Sequence, residues 1–327
     1  MKNIFEKLVV LGTGGTIAGT ASSASDNLTY TAAQLGVAQL IKALPGLSRV
    51  LGGRELVTEQ VAQLDSKDMS FATWRALGQR VDFHLSQPDV KGVVITHGTD
   101  TLEETAYFLH AVLPVVQQAG KPVVLTCAMR PASSAAPDGP QNLLDALAVA
   151  GSAGASGVMV VCAGTIHGAV DVQKVHTYRL NAFDSGDAGA VGYVEEAAVR
   201  RVRNWPCATA GSASGLLDKV ARTTAWPRVE IVMNYAGASA AMVDALLAQS
   251  SPAAALRGLV VAATGNGTVH QGLEAALLRA QAAGVEVVLA TRCSSGRVLS
   301  RADALFPDSN GLSPVKARIA LMLALMG

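Results

Sequence analysis

Aromatic and charged residues are both scarce in this sequence. Phe, Trp and Tyr make up 4% of the 327 residues and charged residues 16%, whereas hydrophobic residues make up 50%. A chain of this length can bury the cores of two domains. Because its bulk comes from Ala, Gly, Val and Leu, the composition favours buried parallel strands covered by closely packed helices over an all-β sandwich.

An excess of charge of one sign is also missing. The chain has 26 Lys and Arg residues against 25 Asp and Glu residues, for a formal net charge of +1. Proteins that bind duplex nucleic acid usually carry a basic patch or stripe. We therefore expect a small-molecule substrate and no nucleic-acid partner.

Cysteines are few and scattered. Cys127, Cys162, Cys207 and Cys293 have no paired spacing, which excludes a zinc site of the CxxC type and a dense disulfide framework. We expect four buried or half-buried thiols in a reducing compartment.

The sequence lacks a run of residues that would span a membrane. The longest uncharged stretch, residues 146–167, is interrupted by glycines and serines, and the apolar segment 319–326 is too short to cross a bilayer. The first residues run past Glu6 directly into a strand, without the apolar core of a signal peptide. These features predict a soluble, cytoplasmic protein with no membrane partner.

Short β-branched runs alternate with amphipathic helical patterns along the chain. The strand-like runs are 8–11, 93–96, 122–126 and 158–162, followed by 230–233, 259–262 and 285–290. The helical patterns are 101–116, 142–150, 240–247, 273–283 and a last helix that begins at Pro314 after an N-cap at Ser313. This alternation predicts an α/β fold with two open parallel-sheet domains. A large N-terminal domain (1–202) is joined by a linker (203–224) to a smaller C-terminal domain (225–327).

A glycine-rich loop follows the first strand and reads Gly12-Thr-Gly-Gly-Thr16. The dinucleotide-binding fingerprint requires a glycine at the sixth position, where this chain has Ile17, and no acidic ribose partner ends the second strand. A dinucleotide cofactor is therefore not expected. Two interpretations stay open: a backbone that comes close to a ligand, with Thr13 and Thr16 beside it, or a tight turn whose threonines only cap amides.

A second loop follows the strand at 93–96 and contains Thr99 and Asp100. Thr101 and Glu104 form a capping-box pattern, which predicts that a helix begins just after Asp100. Thr99 and Asp100 would then lie at the carboxyl end of a strand and the positive end of a helix, where open parallel sheets bind ligands. A carboxylate there can hold an ammonium group. The alternative is that both residues only start the helix.

A hydroxyl needs a base before it can attack an amide. The sequence has no GxSxG elbow, and His97, beside the loop, is expected to be a hydrogen-bonded structural histidine. A lysine with a lowered pKa can also act as a base. The residue types alone do not choose among the lysines of this chain.

The segments Thr13-Gly-Gly-Thr-Ile-Ala-Gly19 and His97-Gly-Thr-Asp-Thr-Leu-Glu-Glu-Thr-Ala-Tyr107 together resemble the two signatures of bacterial-type L-asparaginases. The resemblance continues in the same order over nearly the whole chain. Its further segments are Lys121-Pro-Val-Val, Ala128-Met-Arg-Pro131, Asp138-Gly-Pro-Gln-Asn142, Asn234-Tyr-Ala, Gly265-Asn-Gly267 and Pro314-Val-Lys-Ala-Arg318.

The resemblance implies a pair of α/β domains, a homotetramer built as a dimer of dimers, and hydrolysis of L-asparagine to L-aspartate and ammonia without metal or cofactor. Matched position by position, Thr16 is the nucleophile and Tyr30 its partner on a mobile loop. The second threonine and its aspartate are Thr99 and Asp100. The family's lysine falls on Lys174, in Asp171-Val-Gln-Lys174.

The resemblance also assigns the substrate-binding residues. Asp100 would hold the α-ammonium group, and Ser66, in the segment Asp65-Ser66-Lys67, would meet the α-carboxylate with nearby backbone. The Thr99 hydroxyl, activated by Lys174, would orient or activate the water that hydrolyses the acyl-enzyme. The Thr99 backbone amide would help to stabilise the oxyanion. Asp65 and Lys67 are included among the candidate binding residues.

Three departures from the family pattern concern selectivity. Lys67 stands where many relatives carry a neutral amide, and Thr268 where glutaminase-active relatives often have a second asparagine. The segment 294–303 is short and offers no clear acidic partner for the Tyr30 side of the site. We therefore expect minor glutaminase activity.

Two further functions were weighed. One is an amide-hydrolysing subunit that feeds ammonia to an amidotransferase, although such subunits usually carry an extra N-terminal domain. The other is a non-catalytic amino-acid-binding module that uses Asp100 and Ser66 alone, which leaves the coincidence of Thr16, Thr99 and Lys174 unexplained.

Overall fold

The computed structural model describes residues 6–114, 120–206, 215–251 and 254–326. The chain divides into two compact units, residues 1–221 and 222–327. The division falls inside the interval 203–224 that we predicted as a linker. This interval contains a helix that the sequence analysis did not predict (Leu216–Arg222), and its residues 207–214 lie outside the described ranges, as does the predicted thiol of Cys207.

The first unit is built on an eight-stranded sheet. Its strands are β1 (Lys7–Gly14), β4 (Glu55–Leu64), β5 (Val90–Thr96), β6 (Val123–Thr126), β7 (Val158–Cys162), β8 (Thr165–Gly168), β11 (Gly192–Glu195) and β12 (Ala198–Arg201), in the order β12-β11-β8-β7-β6-β5-β1-β4. The five strands from β7 to β4 are parallel, and the three at the other edge are antiparallel. Two small hairpins join β2 (Thr20–Ala21) to β3 (Tyr30–Thr31) and β9 (Gln173–Lys174) to β10 (Phe183–Asp184).

Six described helices belong to this unit: α1 (Val37–Lys42), α2 (Leu47–Leu51), α3 (Phe71–Leu85), α4 (Leu102–Val112), α5 (Gly139–Ala150) and α6 (Leu216–Arg222). Val10, Val94 and Val124 face one side of the sheet and pack with Leu143 and Leu147 of α5. The residues between them in the strands are buried as well, and α3 and α4 also pack against the sheet. Burial on both faces explains why β1, β5 and β6 are almost wholly apolar.

The second unit is a three-stranded parallel sheet in the order β13 (Arg228–Met233), β14 (Leu256–Ala263), β15 (Glu286–Thr291). Its helices are α7 (Ala241–Ala248), α8 (Gln271–Ala282) and α9 (Pro314–Ala324). Leu259 and Val261 of β14 pack with Leu273 and Leu277 of α8. The close approach of Leu321 of α9 to Gly258, which has the opposite parity in the same strand, places α9 on the other face.

The predicted fold class is confirmed: both units are α/β, with a parallel sheet at their centres. The antiparallel edge formed by β8, β11 and β12 was not predicted, because these strands have only four residues each. The helix predicted at 101–116 ends at Val112 in the structure, and its last two predicted residues lie outside the described ranges. Within those ranges, the helices lack the combination of length and hydropathy that a membrane span requires.

Three of the four cysteines lie in the described part of the chain and are free. Cys127 follows β6, Cys162 is the last residue of the neighbouring strand β7, and their sulfur atoms are 3.9 Å apart in the core. The hydrogen bond from Cys127 to Cys162 and burial both raise the pKa of the Cys127 thiol. Cys293 is exposed, contrary to the expectation of burial for all four.

Candidate active site

The glycine-rich loop at the end of β1 packs directly against the loop that follows β5. Gly15 has a φ of 82° and a ψ of −173°, a conformation open essentially to glycine alone. A side chain on Gly15 would also overlap the backbone of Gly98. The two glycines therefore bring the loops together, and the next residue in each loop is a threonine, Thr16 and Thr99.

Thr16 begins a short 3₁₀ turn, Thr16–Ala18, and is buried. Its Oγ1 lies 2.7 Å from the hydroxyl of Tyr30. Thr13 in the same loop has a different role: its hydroxyl donates a hydrogen bond of 2.9 Å to the carbonyl of Thr96 and ties β1 to β5. Of the two hydroxyls that the sequence left open, Thr13 is thus a structural tie, and Thr16 has a second hydroxyl within reach.

Tyr30 is held beside Thr16 by the β2–β3 hairpin. Ala21 of β2 pairs with Tyr30 and Thr20 with Thr31, in antiparallel register. A Cβ on Gly19 would lie 2.9 Å from Cδ2 of Tyr30, so the tyrosine ring rests against a glycine just before the hairpin. The local pairing fixes which face of the hairpin carries the phenol.

Thr99, Asp100 and Lys174 form a second cluster. The Lys174 ammonium donates to Thr99 Oγ1 at 2.8 Å and to Asp100 Oδ1 at 2.6 Å. Thr99 is buried, the Lys174 side chain is 19% exposed, and that of Asp100 is 54% exposed. The cluster therefore has a buried hydroxyl next to an amine and a carboxylate with an open face.

Lys174 reaches this cluster from the β9–β10 hairpin, where it pairs with Phe183. The segment before it is fixed by Val172, which is fully buried, and by an ion pair of 2.9 Å between Asp171 and Arg203. Lys174 is thus presented from a short, anchored hairpin and not from a helix or a strand of the main sheet.

Ser66 lies on a 3₁₀ turn, Ser66–Asp68, directly after β4, and is buried. Its Oγ accepts a hydrogen bond of 3.2 Å from the backbone N–H of Asp100, so its own hydroxyl hydrogen can be offered to a carboxylate. The carbonyl of Ser66 accepts a hydrogen bond of 2.8 Å from the Thr101 hydroxyl. Ser66 is therefore linked at two points to the loop that carries Thr99.

The predicted capping box at Thr101 and Glu104 is wrong. Thr101 is the N-cap of α4, as predicted, but its side chain makes no cap hydrogen bond. The hydroxyl donates to the carbonyl of Ser66 instead. The Thr101 hydroxyl, which the capping-box pattern assigned to the start of the helix, is therefore used in a contact with the turn that follows β4.

Asp65 and Lys67, the other candidate binding residues, flank Ser66. The Asp65 carboxylate accepts from the backbone N–H of Lys67 and caps the turn. The Lys67 ammonium forms an ion pair with Asp68, which raises the pKa of Lys67. Asp65 shapes the turn, and the Lys67 cation is placed beside a neighbouring carboxylate at an exposed position.

His97 is buried, and both of its ring nitrogens lie within hydrogen-bond distance of a partner, as predicted for a hydrogen-bonded structural histidine. Desolvation lowers its pKa to about 4. Its Nδ1 lies 2.7 Å from the carbonyl of Gly98, and its Nε2 lies 2.9 Å from the Thr105 hydroxyl, which accepts from the indole N–H of Trp74. This chain of hydrogen bonds anchors the Gly98–Thr99 backbone to α3 and α4.

Sequence reasoning assigned no role to Asp138 and Asn142, which the structure places behind the site. The Asp138 carboxylate accepts from the backbone N–H groups of Met129 and Arg130, both at 2.9 Å. Asn142 donates to the carbonyl of Cys127 and accepts from the N–H of Ala163. The signal was present as the Asp138–Asn142 segment of the resemblance, but its backbone partners are set by the tertiary fold.

In the described ranges, no group of three or more His, Cys, Asp or Glu side chains is arranged to hold a metal ion. A cavity of about 620 Å³ lies in the second unit, between Asn266 and Asn310. It contains none of the residues of the two clusters, which lie in the first unit. The described lining of the cavity includes the hydroxyl residues Thr268 and Ser300 but no lysine, whereas the second cluster has a hydroxyl next to the Lys174 amine.

The chain is similar to known proteins over nearly its whole length. The family model "Asparaginase, N-terminal" matches residues 7–206, and "Glutaminase/Asparaginase C-terminal domain" matches residues 228–327. The chain is 37% identical to the glutaminase-asparaginase of Pseudomonas fluorescens biotype A, over 99% of this chain and 87% of that protein. It is 35% identical to L-asparaginase 2 of Escherichia coli K12, over 97% and 88% of the two chains.

A solved structure is also similar. The probable cytoplasmic L-asparaginase from Campylobacter jejuni superposes with a TM-score of 0.87 and 34% sequence identity. The match covers 98% of this chain and 95% of that one, so the resemblance includes both units.

Proposed function

Since this chain belongs to the asparaginase family, we propose that it hydrolyses L-asparagine to L-aspartate and ammonia, with Thr16 as the nucleophile and Thr99 serving the second step. The observation that carries the proposal is the meeting of Lys174 with Thr99 and Asp100. These residues are 75 and 74 positions apart in the chain, yet their polar atoms lie within 2.8 Å. A structural role for a threonine at a helix start does not require an amine.

Substrate binding uses the open face of Asp100 and the buried hydroxyl of Ser66. The Asp100 carboxylate is more than half exposed and can hold an α-ammonium group. The Ser66 hydroxyl, fixed by the Asp100 N–H, donates to the α-carboxylate. Two fixed contacts at the α-carbon orient the side-chain amide of a short amino acid toward the threonines.

In the first half-reaction, Thr16 Oγ1 attacks the side-chain carbonyl carbon, and the Tyr30 hydroxyl at 2.7 Å accepts or relays its proton. The C–N bond breaks, and ammonia leaves with the relayed proton. The product of this step is an ester between Thr16 and the β-carboxyl group of aspartate. Backbone amides of the loops, including that of Thr99, stabilise the oxyanion.

In the second half-reaction, water attacks the ester carbonyl. Thr99 takes a proton from this water as its own hydroxyl proton passes to Lys174 in the neutral form. The C–O bond to Thr16 then breaks, the proton held by Lys174 returns through Thr99 to Thr16 Oγ1, and aspartate leaves, so that the Thr16 hydroxyl and the neutral Lys174 are both restored. Lys174 Nζ, at 2.8 Å from Thr99 Oγ1, is the amine within reach of this transfer.

We propose that glutaminase activity is minor. Some relatives carry the double name glutaminase-asparaginase, but this chain has Thr268 after its Gly-Asn-Gly motif and an ammonium at Lys67 beside Ser66. The rate of ammonia release from L-glutamine, measured beside that from L-asparagine, tests this; equal rates contradict it.

Two properties of the whole protein complete the proposal. We place it in the cytoplasm, as the Campylobacter relative is described, and we expect a homotetramer built as a dimer of dimers. Light scattering of the purified chain tests the second point, and a stable, fully active monomer contradicts it. The domain limits 1–202, 203–224 and 225–327 are retained as a proposal, testable by limited proteolysis.

Ammonia release from L-asparagine tests the reaction. The purified chain is expected to be active, and Thr16→Ala, Thr99→Ala and Lys174→Met are each expected to lose about a thousandfold or more in kcat. Thr58→Ala, in the edge strand β4, is the matched control and keeps the parent rate. An inactive parent that binds aspartate tightly supports the binding-module alternative. Activity that needs a synthetase partner supports the amidotransferase alternative.

A further inference from the structure

The β2–β3 hairpin that carries Tyr30 is fastened on its outer side by a segment that no part of the proposed mechanism includes. This clamp segment, residues 132–135, follows β6. Ala132 donates its N–H to the carbonyl of Gly19 at 2.9 Å, and Ala135 donates to Ala24 at 2.8 Å. Between these contacts, the backbone N–H of Ala21 donates to Ser133 Oγ at 2.7 Å.

The Ser133 hydroxyl accepts a backbone hydrogen bond that a third strand would otherwise accept from β2. Gly19 and Ala21 are two residues apart, so the Gly19 carbonyl and the Ala21 N–H point to the same side of β2, away from β3. In a sheet, a third strand would satisfy both groups with its backbone. Here the backbone of Ala132 satisfies the first, and a side chain, the Ser133 hydroxyl, satisfies the second.

The clamp segment and the residues on either side of it are held in place by several hydrogen bonds. The Asp138 carboxylate accepts from the N–H groups of Met129 and Arg130, and the Arg130 guanidinium donates to the carbonyl of Ala136 at 3.0 Å. The turn at its centre is closed by the N–H of Ser134 on the carbonyl of Pro131. Ser133 therefore ties the β2–β3 hairpin to the segment that follows β6, a central strand of the sheet.

The position of Tyr30 depends on the residues that are clamped. Ala21 is its direct cross-strand neighbour, and Gly19 lies against its ring. A shift of β2 away from the clamp therefore moves the phenol relative to Thr16, which is itself fixed in the turn that follows the glycine loop.

We infer that Ser133 is a positioning residue, which sets the hydroxyl of Tyr30 against Thr16 through the Ala21 backbone. The inference rests on the proposed function of Thr16 and Tyr30. It assigns Ser133 no contact with the substrate. The residue acts on the first half-reaction by holding the proton acceptor at its working distance.

The main variant is Ser133→Ala, which removes the acceptor and leaves the clamp backbone intact. Because a displaced catalytic group costs rate more than it costs binding, we expect kcat for L-asparagine to fall about tenfold with KM changed less than about threefold. Ser134→Ala is the matched control, since the Ser134 hydroxyl accepts from Ala136 in its own turn; it keeps kcat within about twofold. Ser133→Thr, which restores a hydroxyl at a half-buried site, recovers most of the rate.

A double-mutant cycle separates positioning from general stability. In a Tyr30→Phe background there is no phenol to position, so Ser133→Ala is expected to lower kcat by less than about twofold further. Amide hydrogen exchange supplies a readout without activity: the Ala21 N–H loses protection in Ser133→Ala and keeps it in Ser134→Ala.

The outcomes are distinguishable from those that test the proposed function. If the parent is active and Tyr30→Phe is impaired, but Ser133→Ala equals Ser134→Ala in kcat, the inference is overturned and the mechanism stands. It is also overturned if the full loss persists in the Tyr30→Phe background. An inactive parent contradicts the proposed function, and the exchange at Ala21 still decides whether Ser133 holds the hairpin.

Discussion

Among single residues, the two threonines differ in the groups that surround their hydroxyls. Thr16 faces the phenol of Tyr30, whereas Thr99 faces the ammonium of Lys174 and, through it, Asp100. A phenol and an amine are different proton acceptors, which supports the proposal that the two threonines act in different steps. Under this proposal, Lys174 must supply a proton-accepting amine and not only a positive charge.

Replacing Lys174 by arginine tests this requirement. Arg keeps the positive charge and the partnership with Asp100 but cannot be deprotonated in a protein. Lys174→Arg is therefore expected to lose about a thousandfold or more in kcat for L-asparagine, like Lys174→Met. Lys91→Arg, a conservative change in β5, serves as the control. A Lys174→Arg variant with near-parent kcat would show that the cation acts by charge alone.

His97 makes a prediction about stability against pH. Its pKa is lowered by burial from 6.5 to about 4, so between these values the unfolded chain binds a proton that the folded chain does not. The free energy of unfolding therefore falls as pH is lowered from about 6.5 to about 4, by up to about 3 kcal/mol from this residue. Urea unfolding across this range measures the slope. In His97→Gln this part of the slope is expected to disappear; an unchanged slope refutes the assignment.

The sequence predicted single residues unevenly. Thr99 and Asp100 could be placed from a strand end and a helix start, and His97 from its position on a strand terminus. Lys174 could not be chosen by chemistry, because its approach to Thr99 depends on a hairpin 75 residues away and the residue type is common. It was found only through the family resemblance, as was Tyr30.

Among the structural elements, the loop after β1 and the loop after β5 are in direct contact, and this contact brings Thr16 and Thr99 together. Gly15 combines a backbone conformation that other residues avoid with direct contact against Gly98. The local sequence pattern identified both loops but not the contact between them. That contact arises because β1 and β5 are parallel neighbours in the sheet, so that the loops after them lie side by side. The failed capping box has a similar origin, because Ser66, on a turn after a different strand, takes the hydroxyl of Thr101.

A pair of glycine substitutions separates crowding from backbone strain. Gly15 and Gly154 both have positive φ, 82° and 72°, but a Cβ at Gly154 meets nothing within 4 Å. Gly154→Ala is expected to cost about 1 kcal/mol of unfolding free energy and to keep its activity. Gly15→Ala is expected to abolish ammonia release and to destabilise the first unit by several times as much, about 3 kcal/mol or more. Equal effects in urea unfolding and activity contradict the close packing of the two loops.

Over the whole molecule, the composition and the alternation of strand-like and helical segments were sufficient to predict the fold class. They were not sufficient to predict the antiparallel edge of the large sheet. Buried apolar strands such as β1 and β5 indicate a parallel sheet whose faces are both covered, and that is the centre of both units. The antiparallel strands β8, β11 and β12 have four residues each, too few for a periodic pattern to stand out in their sequences. The hairpin that presents Lys174 lies in the connection between β8 and β11, and this is why its location escaped local reasoning.

The central claim is that Thr16 carries the acyl group and Thr99 helps to remove it. The most direct measurement is rapid mixing of L-asparagine with the parent and with Thr99→Val, followed by acid quenching, digestion and mass spectrometry. We predict an aspartyl ester on the peptide that contains Thr16, at higher occupancy in Thr99→Val than in the parent, and none in Thr16→Ala. An ester on a peptide without Thr16, or full conversion of asparagine by Thr16→Ala, would contradict the account.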